Sequence, residues 1–115
     1  MKILVIRLSS LGDVVLTEPV TRKLKELYPD ATIDYITKPA FVPIVRAFGH
    51  IDNILEWTGD SQTDLHTVEA EKYDIAIDLH SKLRSRLIRK KANKAVVYNK
   101  KHLLRRSIVA KWSNR

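Results

Sequence analysis

Residues 3–19 read Ile-Leu-Val-Ile-Arg-Leu-Ser-Ser-Leu-Gly-Asp-Val-Val-Leu-Thr-Glu-Pro. Ile3 to Ile6 are four consecutive apolar residues, a run that suits a strand buried on both faces. Ser9, Ser10 and Gly12 form a short loop with Asp13 at its end, and apolar residues then recur at Leu16, Val20, Leu24 and Leu27 with helical spacing. The unit is strand, tight loop, helix. Pro19 lacks an N–H and restricts Glu18, which predicts a short helical turn from about Gly12 and a second piece with Pro19 at its first position, capped by Thr17 or Glu18. That helix ends near Tyr28, ahead of Pro29-Asp30.

The same alternation continues along the chain. Thr32 to Thr37, rich in β-branched and aromatic residues, reads as a second strand. Pro39 opens a short helix through Val42, Val45, Arg46 and Phe48, closed by Gly49. A third strand is expected over Asn53–Trp57, with Trp57 in the core. The polar loop 58–62 then supplies caps for a helix from about Thr63 to Lys72. Asp74–Leu79 is the fourth strand, with Asp78 near its carboxyl end. Ser81 is placed as the cap of a helix reaching about Lys91, with Leu83, Leu87 and Ile88 as its apolar stripe. Ala95–Tyr98 forms a fifth strand, and Leu103–Trp112 a last, basic helix.

Five strands alternating with helices imply parallel pairing, right-handed crossovers and a sheet covered on both faces. The fold class is therefore α/β, a Rossmann-like three-layer α/β/α domain with a mainly parallel five-stranded sheet. In such sheets ligands bind beyond the carboxyl ends of the strands, where strand order reverses. With the first strand central, the loop Ser9–Asp13 opens onto that crevice, as do Asp78, His80 and Ser81.

A length of 115 residues suffices for one domain with a real core and not for two. The composition, 44% hydrophobic and 30% charged with three Gly and four Pro, is that of a globular domain. The sequence has no Cys, which rules out disulfides and thiolate metal sites and suits a reducing cytoplasm. The first apolar run is too short for a signal peptide or a membrane span.

Charge divides the chain more sharply than the total of +8 suggests. Residues 81–115 hold 13 Lys and Arg and no Asp or Glu, whereas residues 1–80 hold 8 basic and 13 acidic residues. A segment of this kind seeks phosphate, anionic lipid, nucleic acid or an acidic protein surface.

Several chemistries lack their motifs. No Gly-x-Gly-x-x-Gly follows the first strand, and no Gly-rich loop ends in Lys-Ser or Lys-Thr. His50, His66, His80 and His102 have no ligand spacing, and Ser9 and Ser10 do not sit in a Gly-x-Ser-x-Gly elbow. Asp13 carries two readings. A carboxylate at a helix N-terminus commonly caps free N–H groups. The other reading is a general base, or an acceptor that orients a sugar hydroxyl, at the mouth of the crevice. The positive end of a helix makes a carboxylate a weaker base at equilibrium, yet such a group can still take a proton as the hydroxyl attacks.

Residues 1–20, Met-Lys-Ile-Leu-Val-Ile-Arg-Leu-Ser-Ser-Leu-Gly-Asp-Val-Val-Leu-Thr-Glu-Pro-Val, resemble the start of the bacterial lipopolysaccharide heptosyltransferases, the ADP-heptose-dependent glycosyltransferase family 9. Further matches follow in order at Tyr28–Tyr35, Lys38–Phe41, Ile51–Leu55 and Tyr73–Ser85, so that the likeness runs to about Arg106. The resemblance implies the amino-terminal half of a two-domain GT-B enzyme that inverts the anomeric centre without a metal. In this family the amino-terminal domain binds the lipid A core acceptor, and the carboxyl-terminal one binds the nucleotide sugar. The position of Asp13 is then that of the catalytic base, with Ser9, Ser10 and Gly12 shaping its loop. The second domain has no counterpart in this sequence, so the chain is expected to be an isolated or truncated amino-terminal domain, inactive alone, with ADP-heptose bound elsewhere.

The basic last third has three explanations. It is a solvated helix face; or it meets the acidic sugars and phosphates of the acceptor, through Arg84 and Arg86 with Lys38 and Lys82 as further contributors; or, from Lys100 onward, it attracts the anionic inner-membrane surface or packs against the missing domain. The resemblance accordingly implies a cytoplasmic protein peripheral to the inner membrane, with self-association through the exposed domain face as a further expectation, and Trp112 exposed there. Arg7 either aims into the crevice or pairs with Asp78. His80 either touches acceptor or is structural, and Asp34 and Asp74 read as edge or turn residues. A different class of function remains beside these, a stand-alone basic α/β module that binds nucleic acid. Against it, only Tyr98 and Trp112 supply stacking aromatics in the basic segment.

Overall fold

The computed structural model describes residues 1–98. The expected helix over Leu103–Trp112 and the cations from Lys100 onward lie outside the described residues. Five strands, β1 (Lys2–Ile6), β2 (Thr32–Thr37), β3 (Asn53–Glu56), β4 (Ile75–Asp78) and β5 (Lys94–Val97), form one sheet in the order β3-β2-β1-β4-β5, and every pair is parallel. The connections carry α1 (Leu11–Leu16) and α2 (Glu18–Leu27) after β1, and a 3-10 turn (Pro39–Phe41) with α3 (Val42–Arg46) after β2. They then carry α4 (Ser61–Ala70) after β3 and α5 (Leu83–Arg89) after β4. Among the described residues no helix is long and apolar enough to cross a membrane.

The four apolar residues of β1 are explained by its central place. Ile3 and Val5 face the layer built by Val14 of α1, Leu24 of α2 and Val45 of α3. Leu4 and Ile6 face the opposite layer with Val68 of α4, Ile88 of α5 and Trp57. All four are at most 1% exposed, and burial of each contributes about 1.5–3 kcal/mol of transfer free energy, which a polar residue in this run would forfeit.

The pause in the first helix falls at Thr17, which ends α1 and precedes α2, and Pro19 takes the second helical position rather than the first. The buried Thr17 hydroxyl donates to the Val14 carbonyl (2.6 Å) and accepts from the Tyr35 hydroxyl (2.7 Å), which anchors α1 over the sheet. The other strands match their expected places to within one or two residues.

Three expectations are corrected. Asp34 is no edge residue: it is 1% exposed, accepts from the Tyr73 hydroxyl (2.6 Å) and the Asn53 amide (3.0 Å), and so ties β2 to β3 and to the turn before β4. Ser81 does not cap α5, because its φ of +55° is left-handed and the helix starts at Leu83. The buried stripe of α5 is Ser85 and Ile88, joined by Ala92 beyond it, while Leu83 is 74% exposed and Leu87 39% exposed.

Candidate active site

The chain runs outward from β1 to β2 and β3, then returns to the other side of β1 as β4. Strand order therefore reverses between β1 and β4, and the crevice lies beyond their carboxyl ends. Two loops meet there, 7–10 after β1 and 79–82 after β4.

Arg7 continues β1, with its N–H bonded to the Ile36 carbonyl at 3.3 Å, and buries its side chain to 8% exposure. Its guanidinium spreads over three partners: Nε donates to the Ser9 carbonyl (2.6 Å), one terminal nitrogen to the Leu79 carbonyl (2.8 Å), and the other pairs with Asp13 Oδ2 (2.8 Å). Asp13, in the first turn of α1, keeps 16% of its side chain exposed. Its Oδ2 also accepts from the Ser10 hydroxyl (3.1 Å) and, at the limit of a hydrogen bond, from the Ser10 N–H (3.5 Å). The capping role read from the sequence is thus present as the acidic half of a capping box, together with an ion pair.

The alternative of an Arg7–Asp78 pair is corrected by this geometry. Asp78, fully buried, accepts from the backbone N–H groups of His80 (2.9 Å) and Ser81 (2.8 Å) and pairs with Arg89 at 2.7 Å. Arg89, one of the cations of the basic last third, is the residue that neutralises the carboxylate at the end of β4. Its spacing of 11 residues from Asp78, one strand end and one helix apart, was the available signal.

His80 is half-buried between these groups, and its Nδ1 is shielded from solvent with no hydrogen-bond partner among the described residues. Burial, with help from the Arg7, Lys82 and Lys38 cations and opposed by Asp78, pushes the imidazole down to about 4. The ring is neutral at physiological pH, so that it can donate and accept hydrogen bonds without adding charge.

Of the cations expected to face an acceptor, Lys82 and Arg86 line one groove of about 350 Å³ together with Ser81 and Arg89. Lys38, following β2, is close enough to act on His80. Arg84 is exposed on α5 but does not line that groove. Ser9 is half-buried and Ser10 exposed in the loop, whereas Gly12 belongs to α1 itself, and a Cβ there would meet none of the described residues within 4 Å. Among the described residues no group of three or more His, Cys, Asp or Glu side chains is arranged to hold a metal ion.

No family model matches the sequence. No curated protein matches it either. Solved structures do. The E. coli heptosyltransferase WaaC, determined with ADP-2-deoxy-2-fluoro heptose, superposes with a TM-score of 0.71 at 20% identity over 86% of this chain and 36% of that one. A glycosyltransferase family 9 protein from Veillonella parvula gives 0.73 at 27% identity, over 92% of this chain and 33% of that one. The E. coli ADP-heptose LPS heptosyltransferase II gives 0.72 at 26% identity, over 86% and 30%. The chain therefore spans about a third of the length of these proteins. Across that span it resembles, in fold and in sequence, the heptosyltransferases and glycosyltransferases of family 9.

Proposed function

We propose that this chain is the acceptor-binding half of an inverting glycosyltransferase that moves heptose from ADP-heptose to the inner core of lipopolysaccharide. The reading rests on the heptosyltransferase neighbours and on one observation above all: the Asp13 carboxylate stands at the strand-order reversal, partly exposed, held by Arg7 and Ser10. An acceptor hydroxyl at Asp13 gives up its proton to the carboxylate as its oxygen forms the new bond to the anomeric carbon. The bond from that carbon to the diphosphate breaks, and ADP leaves with its electron pair. No step calls on a metal from this chain.

The groove of Lys82 and Arg86, with Arg84 exposed on the same helix and Lys38 following β2 as further cations, suits the phosphates and acidic sugars of a lipid A core. The donor binds a second domain, and the chain alone does not turn over. Work at the anionic inner-membrane surface, and self-association through the surface that the second domain covers, belong to the same proposal.

The test joins this chain to a complete nucleotide-sugar-binding domain of a family 9 transferase. Asp13→Asn then lowers kcat by on the order of 10²–10⁴-fold, the range of general-base catalysis, with acceptor affinity and folding nearly unchanged. Unchanged turnover removes Asp13 from the mechanism.

A further inference from the structure

Arg7 is a buried cation with a choice of two carboxylates. Asp78 is register partner to Ile6, the residue just before Arg7, and its side chain is fully buried; Asp13 is more exposed and belongs to a different segment. A pairing that served burial alone would join Arg7 to Asp78. The structure sorts them otherwise. Arg89 and two backbone N–H groups occupy Asp78, and Arg7 is left to Asp13.

The fork fixes direction as well as charge. Bonds to the Ser9 carbonyl and the Leu79 carbonyl define the guanidinium plane from two sides, so that the remaining terminal nitrogen points one way, at Asp13 Oδ2. The Ser10 hydroxyl reaches the same oxygen from the helix cap. The Leu79 carbonyl also begins the loop in which Ser81 and Lys82 line the cationic groove.

We infer that Arg7 is the positioning residue of the reaction: it clamps the Asp13 carboxylate in one orientation and ties it to the acceptor-side loop after β4. This deepens the reading of Asp13 as base and rests on it. Arg7 touches no reacting atom and acts only through Asp13. A lysine at position 7 keeps the charge, but one ammonium cannot hold three oxygens in the plane of a fork.

Two measurements test it. In the 115-residue chain, three-bond couplings give the Asp13 χ1 populations: one rotamer in the wild type, averaged rotamers in Arg7→Met and still averaged in Arg7→Lys, although the lysine recovers part of the thermal stability. One rotamer in either variant overturns the inference and makes Arg7 a structural cation only. In the chain joined to a donor-binding domain, Arg7→Lys lowers kcat by on the order of 10²-fold, the cost of an ångström-scale misplacement, with acceptor KM within about twofold. Adding Arg7→Lys to Asp13→Asn then slows the enzyme no further, and a further additive loss also overturns the inference. Full activity in Asp13→Asn would instead refute the base reading, whatever Arg7 does. Should Arg7→Met fail to fold, the lysine variant decides alone.

Discussion

His80 provides the sharpest pH dependence at the level of a single residue. Its folded value of about 4 lies below the ordinary 6.5, so between these two the unfolded chain binds a proton that the folded chain refuses. Stability contributed by the neutral ring is therefore complete above about pH 6.5 and is lost as pH falls toward 4. His80→Gln removes the titration while keeping a polar side chain. Urea midpoints at pH 7 and pH 4.5 should fall less in the variant than in the wild type; equal falls would mean that His80 is not held neutral by its surroundings. The sequence placed His80 at a strand end and Asp13 at the crevice, since both follow from strand order. It leaves Arg7 between the crevice and Asp78, because both lie within reach of the same Cα, and only the packing of α5, which delivers Arg89 to Asp78, turns Arg7 to Asp13.

Among the elements, α1 is the one whose sequence goes against its own stability. Gly12 at its second position has an ordinary helical backbone, and a Cβ placed there would meet none of the described residues, so no turn or close contact among them calls for glycine. Gly12→Ala should stabilise the fold by about 0.5–1 kcal/mol, visible as a higher urea midpoint. A glycine in the turn that carries Asp13 also lets a ligand approach the backbone closely. The same variant is therefore expected to bind acceptor more weakly, and a stabilised variant with unchanged acceptor affinity would remove Gly12 from the site. In the loop before α5, serine is the favoured cap by residue type, but at Ser81 the backbone wraps around the Asp78 carboxylate and passes through a left-handed conformation. Ser85 then accepts from the Lys82 N–H at 2.9 Å and turns the helix so that Ser85 and Ile88, rather than Leu83 and Leu87, face the core. Strand positions, set by apolar runs, survived this; helix rotation, set by one left-handed residue, did not.

At the scale of the molecule, every acidic side chain lies before the segment that follows β4, and the charged side chains of that segment are all basic. The segment after β4 runs to the β5 edge and brings Lys82, Arg84, Arg86 and Arg89 to the side of the crevice remote from β2 and β3. Of these, Arg89 is committed to Asp78, whereas Lys82, Arg84 and Arg86 are exposed and no ion pair ties them to a carboxylate among the described residues. Removing exposed charges costs little stability, so Lys82→Gln, Arg84→Gln and Arg86→Gln combined should leave the urea midpoint nearly unchanged. The same triple variant should bind lipid A core oligosaccharide at least tenfold more weakly, about 1.4 kcal/mol, because charge-assisted contacts to phosphate and carboxylate are lost. Affinity in the wild type should also fall with salt, and less steeply in the variant. Single-stranded RNA and duplex DNA run in parallel separate two kinds of polyanion site. Nucleic-acid binding that is tight and indifferent to sequence, with no response to the oligosaccharide, would reject the acceptor reading in favour of a basic nucleic-acid module. Oligosaccharide binding that persists undiminished in the triple variant would keep the acceptor but move its anions away from α5, toward Lys38 and the loop after β2.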